Sequence, residues 1–481
     1  IVFTGPEKES VKPVTEKQVL DLLAEVKTTE LEKYADEEVR ENLITELPSA
    51  GTIKDTKENK DLGVTTLMLS NGAKVVYKKT DFKNDEILFS AYSEGGNSLY
   101  SDCEYQSTVY ANGGLGEAGI GGLDKNDLNK MMSGKIVNVR PQISTYAEGL
   151  SGSSTPKDFE TMMQMIHLYF TSLNKDEEAY QAFATKQKNF LGNMMSNPNF
   201  FFQNEIGKFR NEGNPRYAGF PTPEKFDEMD YELAYQKYQE RFADASDFTF
   251  LFVGNVDEAK VKEYATKYIA SLSSSNSNEE FKAPEYREDS DSYREKTVYK
   301  GTDPKSVVSI LWTGETEYDE EDDLAISALG EILTIKLVEE LREKESGVYG
   351  VGARGNMSKI PFGSYSFSIS FPCGPENVEK LTKAALAEVE KIKESGPSEQ
   401  DLAKVKETFR LQRKEQLKEN RFWLSQLEKV ESENFDISEM NEFDDKVEEI
   451  EADDIQKMAE KYLQGNYLLG VLMPEKVESA N

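Results

Sequence analysis

The stretch "VYKKTDFK" (Val76–Lys83) returns almost unchanged as "VYKGTDPK" (Val298–Lys305), 222 residues later (298 − 76). Working outward from it, "TPKDFETMMQMIHLYFTSL" from Thr155 matches "GPENVEKLTKAALAEVEKI" from Gly374, and Pro156 falls on Pro375 at an offset of 219. Closing segments "FTFLFVGNV" and "NYLLGVLMP" set Phe248 near Asn466, an offset of 218. Offsets this steady over a domain length predict one unit written twice. A chain of 481 residues, at roughly 150 residues per domain, has room for both copies.

Each copy reads strand, strand, helix, strands, long helices, final strand, which mixes hairpins with helices instead of alternating β and α strictly. In the first, "LMLSNGAKVVYKK" carries a hairpin signal, because apolar-rich runs flank Asn71-Gly72. The fold class is therefore α+β: two tandem units, each a largely antiparallel sheet packed with helices. Residues 1–62 read as a hinge or linker segment with one helix that docks, in "TEKQVLDLLAEVKTTELEKYAD" from Thr15, where Val19, Leu22, Leu23 and Val26 recur at helical spacing. The first unit is expected over 63–272 and the second over 294–481. Between them "SSSNSNEEFKAPEYREDSDSY" (273–293) has the Ser, Asn, Pro and charge of a linker.

Composition removes several functions. With 57 basic and 89 acidic residues the net charge is −32, which repels phosphate backbones and anionic membrane surfaces, so no nucleic-acid partner is expected. No apolar run approaches the roughly 18 residues of a spanning helix, so membrane insertion is not expected either. The opening "IVFTGPEKES" lacks an initiator Met and a signal-like h-region, and predicts a chain cut or processed from something longer. Cys103 and Cys373 form no short-spaced pair and read as buried free thiols.

Candidate chemistry is sparse. The only histidine, His167, follows Phe159, Met162, Met163 and Ile166 at helical spacing and reads as a packing or helix-edge residue. Without a second His or a Cys pair, a tetrahedral zinc site within this chain is not expected. "GGLGEAGIGG" (113–122) contains a formal GxGxxG, but "CEYQSTVYAN" before it lacks a strand pattern, so a glycine-rich turn between two helices is the simpler account, the second capped near Asp124. No GxSxG elbow is present, and "EYDEEDD" from Glu317 suits a helix N-terminus better than a carboxylate pair.

One constellation remains. In "DEEDDLAISALGEILTIKLVEELREKESG" a stripe of Leu324, Leu329, Ile332, Leu333, Leu337 and Leu341 predicts a long helix, with Gly347 as its stop and the strand-like "VYGVGA" directly after. Arg342 then stands at the helix end and Tyr349 at the start of a strand. Both donate hydrogen bonds without titrating, so together they could hold a peptide carbonyl and its developing oxyanion. Equally, Arg342 could complement the helix dipole and Tyr349 pack on a sheet.

These features, with "DLNKMMSGKIVNV", the "NPR" of Asn214–Arg216, "FVGNVD" and "LREKESGVYGVGA", make the chain resemble the pitrilysin and insulin-degrading enzyme family of inverzincin zinc metallopeptidases, in particular bacterial, Bacteroides-type members. In that family four homologous units form two halves closing around a chamber, and the first unit binds zinc through HxxEH and a distal Glu. This chain has no HxxEH, so the resemblance implies the C-terminal, non-catalytic half. It further implies that Arg342 and Tyr349 reach the substrate in trans, that zinc belongs to an N-terminal HxxEH-bearing half or partner subunit, and that no cofactor belongs to this chain. A peptide substrate and a periplasmic or envelope location follow from the same resemblance, as does the alternative of a separate subunit of a two-chain peptidase. A structural scaffold without activity is the remaining reading.

Overall fold

The computed structural model describes residues 14–29 and 42–475, in a short unit (1–41) and a large one (42–481). In the short unit the helix Glu16–Thr28 starts at a capping box, Thr15 with Gln18, and none of its side chains is buried. The remainder of the expected helical segment, 30–36, lies outside the described residues.

The large unit carries twelve strands among its described residues: β1 (Ile53–Asn59), β2 (Val64–Leu69), β3 (Lys74–Lys79), β4 (Ile87–Glu94), β5 (Val137–Ile143), β6 (Ala147–Ser154), β7 (Thr249–Gly254), β8 (Arg294–Tyr299), β9 (Ser306–Glu315), β10 (Gly352–Ser358), β11 (Ser364–Cys373) and β12 (Leu468–Met473). They form two sheets, ordered β1-β2-β3-β7-β4-β6-β5 and β10-β11-β9-β12-β8. Read from opposite ends, β3-β7-β4-β6-β5 and β8-β12-β9-β11-β10 have the same connectivity. Each opens with a parallel pair and continues antiparallel, and Val76 faces Leu251 as Val298 faces Leu472. The repeated octapeptide therefore lies at the C-terminal ends of equivalent strands, β3 and β8, of two copies of one fold, and does not open them.

Two strands have no counterpart. The Asn71-Gly72 turn, with Gly72 at φ +92°, joins β2 to β3 as a hairpin, and β1 adds outside β2. The first sheet thus starts inside the segment expected to be linker, and Leu43 and Ile44 are already buried in its core. The strand "IKDTKEN" is charged and exposed on both faces, so it carries no apolar alternation to read; pairing with β2 holds it in place.

Each core lies on the helix-covered face of its sheet. In the first, Phe89 stacks on Phe252 with ring centroids 5.0 Å apart, and Phe159 meets Phe252 edge-on at 5.7 Å. In the second, β11 alternates Phe367, Ile369 and Phe371, all fully buried, with outward serines, against Leu329, Ile332, Leu333 and Leu337 of the helix Glu320–Leu337. Asp319 caps that helix and four acids fill its first turn, as the sequence pattern requires.

The two copies are joined by exchange. Helix Asn420–Glu433 of the second copy lays Trp423, Leu424 and Leu427 over the back of the first sheet, on Val76, Leu88, Leu251 and Val253. Reciprocally, helix Pro198–Arg210 of the first copy sets Phe202 and Ile206 on Val298 and Leu472 of the second sheet. At the entry of the first crossing, buried Asn420 accepts from Thr80 Oγ1 at 2.5 Å and donates to Glu86 at 3.0 Å. A polar contact of this kind fixes the register of an otherwise apolar seam.

The segment 273–293 has no regular structure, as expected, yet it is pinned along its length. Asp244 accepts from Ser275 and Ser277, Arg241 pairs with Glu279 at 2.7 Å, and Arg210 grips Glu288 through two bonds of 2.9 and 2.8 Å. It is a strap across both copies, and its anchors come from residues far away in sequence.

Arg241 also lies 4.0 Å from Glu148, whose buried carboxyl is pushed up to about 8 by loss of solvent despite the bond it accepts from Gly96. In the unfolded chain this carboxyl ionises at its ordinary value of 4.5. Between those values the folded state keeps a proton that the unfolded state has released, so the group's contribution to stability falls as pH rises. Glu148→Gln is accordingly expected to match the parent's urea midpoint near pH 4.5 and to exceed it above pH 8, by on the order of 1–3 kcal/mol. Denaturation curves of both proteins across that range provide the check.

Candidate functional site

The helix Glu320–Leu337 does not end where α geometry would end it; it widens into a π-helical turn, Val338–Lys344. Such turns are rare and concentrate at functional sites. The bond from Glu345 N to Glu340 O (3.0 Å) spans five residues, and Gly347 N reaches Leu341 O at 3.0 Å. Expected as the stop, Gly347 is not the residue that turns the chain: Ser346 takes the left-handed conformation at φ +51°. Gly347 serves close approach instead, since a Cβ there would lie 2.8 and 2.9 Å from the two Leu381 methyls. Gly347→Ala is expected to cost about 1–3 kcal/mol by overpacking, read as a lower urea midpoint.

Beyond this turn Val348 is buried and bridges to Cys373, and β10 begins at Gly352. Tyr349 therefore precedes the strand instead of starting it, because Val348 is drawn toward β11 while the next residue is free to point outward. It is 97% exposed. Arg342 is also exposed, on the π-helical turn bracketed by buried Leu341. The structure thus sets both donors at the surface on either side of one pinned turn.

Most neighbouring charges are paired: Lys336 with Glu339 at 3.0 Å, Lys344 with Glu340 at 2.9 Å, and Lys380 with Glu345. Arg342 has no ion pair or hydrogen bond to any described residue, and neither does the Tyr349 hydroxyl. Two strong donors are left for a ligand, while Glu339, Glu340 and Glu345 are occupied and Glu343 alone among the acids of the turn has no ion pair to a described residue.

The adjoining edge of β10 is closed. Thr334 exchanges bonds with Ala353 (2.8 and 3.1 Å), Ser327 donates to Gly355 O (3.3 Å) and Asp323 accepts from Met357 N (2.7 Å). The glycine pair Gly330 and Gly355 lets the helix come this near, since a Cβ on Gly330 would sit 3.0 Å from Gly355 N. An extended ligand cannot add to that edge as a further strand.

Other sequence candidates resolve into packing. His167 is buried, with Nδ1 2.8 Å from Tyr268 O, and burial lowers its pKa. This is the packing position that its helical spacing predicts. The glycine-rich stretch forms a 3-10 turn, Asn112–Ala118, between helices Asp102–Thr108 and Lys125–Met131, the latter capped by Asp124, with no strand before the glycines. Cys373 is buried, and its thiol is pushed up to about 11 by burial. Cys103 is exposed, contrary to the buried thiol expected, because it sits in the first turn of a short surface helix. Among the described residues no group of three or more His, Cys, Asp and Glu stands close enough to hold a metal ion. No described helix is long and apolar enough to cross a membrane.

Comparison with known proteins fits this geometry. Residues 234–409, which include both Arg342 and Tyr349, match the family model of the peptidase M16 inactive domain, and the chain carries that domain. More particularly, it is homologous to PqqL-like zinc proteases. It is 24% identical to the zinc protease PQQL-like of Arabidopsis thaliana over 85% of this chain and 42% of that protein. It is also 25% identical to the probable zinc protease PqqL of Haemophilus influenzae over 70% of this chain and 36% of that one. The periplasmic protease PqqL from Escherichia coli shares the fold at a TM-score of 0.77 and 21% identity, over 96% of this chain and 51% of its own. The peptidase M16 inactive domain from Pseudomonas fluorescens shares it at 0.70 and 15%, over 87% of this chain and 99% of its own. This chain thus spans about four-tenths of the curated relatives' length.

Proposed function

We propose that this chain is the non-catalytic C-terminal half of a zinc metalloendopeptidase that encloses peptides, and that it supplies Arg342 and Tyr349 to a zinc site on an HxxEH-bearing half. The observation that carries the reading is the pair of unpartnered donors at one pinned turn, inside the segment matched to an inactive domain of zinc peptidases. A zinc ion on the other half, when bound, would polarise the scissile carbonyl and acidify a water. Arg342 and Tyr349 would hold that carbonyl from the opposite wall, donating to its oxygen as negative charge develops, and would do so only when the halves close. Hydrolysis of an unstructured peptide by an HxxEH-bearing half, with and without this chain, tests the reading. Strong activity is expected only from the pair; an undiminished rate from the zinc half alone would contradict it.

A second reading is a separate non-catalytic subunit. It is favoured by two structures, a protease from Helicobacter pylori and the Pseudomonas fluorescens inactive domain, each matched over 99% of its own length by this chain. An immunoblot of native cells distinguishes the two: a band near twice 54.3 kDa means one continuous peptidase, and a band at that mass means a subunit. The periplasmic setting of the Escherichia coli relative supports the same compartment for this protein.

A further inference from the structure

We propose that a cleft at the far end of the second sheet binds a neutral, extended stretch of peptide main chain, at a distance from the bond to be cut. The proposal deepens the peptidase reading and rests on it. The cleft has a volume of about 800 Å³, within the usual range for ligand sites, and lies between the open face of β9, β10 and β11 and the strap at Arg287–Asp291.

Its floor is set by register. Asn356, Ser366 and Thr313 stand directly opposite one another on β10, β11 and β9, and Ser358, Ser364 and Glu315 form the next row. The run "SYSFSISFPC" makes this face by strict alternation, burying Phe367, Ile369 and Phe371 and turning a serine outward at every second position. Ser366 Oγ donates to Asn356 Oδ1 at 3.0 Å, which leaves the Asn356 amide N–H groups and the Thr313 and Ser364 hydroxyls without partners. A flat row of small donors and acceptors suits a ligand that offers both along its length.

The walls exclude other ligands. Every cation lining the cleft is already paired, Arg287 with Glu315, Arg210 with Glu288 at 2.8 Å and Lys461 with Asp322 at 3.1 Å, so a phosphate or carboxylate finds no free counter-charge. Asp291 alone among the lining charges lacks an ion pair. The aromatic faces are taken too: Arg287 stacks on Phe362 at 3.8 Å, and Tyr365 packs on Tyr462 at 4.4 Å. That removes the open ring on which a sugar would sit, and the hydroxyl floor offers nothing to a lipid. Peptide amides, one donor and one acceptor per residue, match what remains.

Position supports the same ligand. β10 starts three residues after Tyr349 and ends at the cleft, and its seven residues span about 20 Å at roughly 3.3 Å each. A substrate held at Tyr349 and running in the direction of β10 would bring a distant segment over Asn356 and Ser358.

The test is fluorescence anisotropy of the full chain with a labelled, unstructured peptide rich in Ser, Gln and Asn, and with maltohexaose as competitor. The double variant Ser366→Phe/Thr313→Phe fills the cleft with residues that suit a strand, and should weaken peptide binding roughly tenfold or more with an unchanged circular dichroism spectrum. Asn356→Ala, a milder change on the edge strand, should weaken it several-fold. Unchanged affinity in both, no binding by the parent, or displacement of the peptide by maltohexaose would overturn the proposal. Failure of the peptidase reading would look different: hydrolysis by the zinc half indifferent to this chain, whatever the affinity.

Discussion

Arg342→Ala and Tyr349→Phe should each lower kcat/KM of the reconstituted peptidase by roughly 10²–10³, the loss that follows removal of one oxyanion donor. The effect should fall mainly on kcat, because the proposed bonds strengthen as charge moves onto the carbonyl oxygen, whereas ground-state binding would draw on other contacts to the peptide. Stability should not change, since neither side chain touches a described neighbour through a hydrogen bond or ion pair and Tyr349 is almost fully exposed. That separation makes the prediction informative. A packing or dipole role for Arg342 would lower stability and spare turnover; a donor role does the reverse. Single-turnover kinetics beside a urea titration of each variant distinguishes them.

The largest structural effect is expected at the crossing between the copies. Trp423→Ala should cost about 3–5 kcal/mol, because the indole is buried among Val76, Leu88, Leu251 and Val253 on the back of the first sheet and its removal leaves a cavity there. The loss reaches beyond apolar area. Trp423 Nε1 donates to Leu417 O at 2.9 Å, and Lys78 lies 3.9 Å over the ring, its pKa lowered by burial and its ammonium bonded to Leu62 O. Taking away the ring exposes that lysine and frees the start of helix Asn420–Glu433 together. A large drop in the urea midpoint is the expected reading; a drop no greater than that of a surface substitution would mean that the exchange of helices does not hold the copies together.

What the sequence revealed and what it hid divide along physical lines. The duplication, the Asn71-Gly72 hairpin, the acidic helix start from Glu317 and the long helix of Leu329 to Leu341 were legible because each is a local pattern: a turn residue, a charged first turn, a periodic stripe. Strand β1 was not, since its stability comes from backbone pairing and its side chains carry no period. The strap resembles a loose linker in composition, and the residues that pin it, among them Asp244, Arg241, Arg210 and Glu315, are distant in sequence. The residue types of the candidate site could be read in "LREKESGVYG", but not the π-helical turn, the left-handed Ser346 or the exposure of Tyr349, all of which depend on how Leu341 and Val348 bury. The serine alternation in β11 was open to reading as a two-faced strand; its meaning as a cleft floor needed the register with β9 and β10.

The most direct test of the account places a photo-reactive benzoylphenylalanine at position 349, mixes the chain with an HxxEH-bearing half and a slowly cleaved labelled peptide, and maps the cross-links after illumination. Adducts are expected on the peptide next to its scissile bond and on the zinc-bearing helix, both lost when the peptide is omitted and the halves stay open. Cross-links confined to this chain, or to an outer surface of the other half, would contradict it.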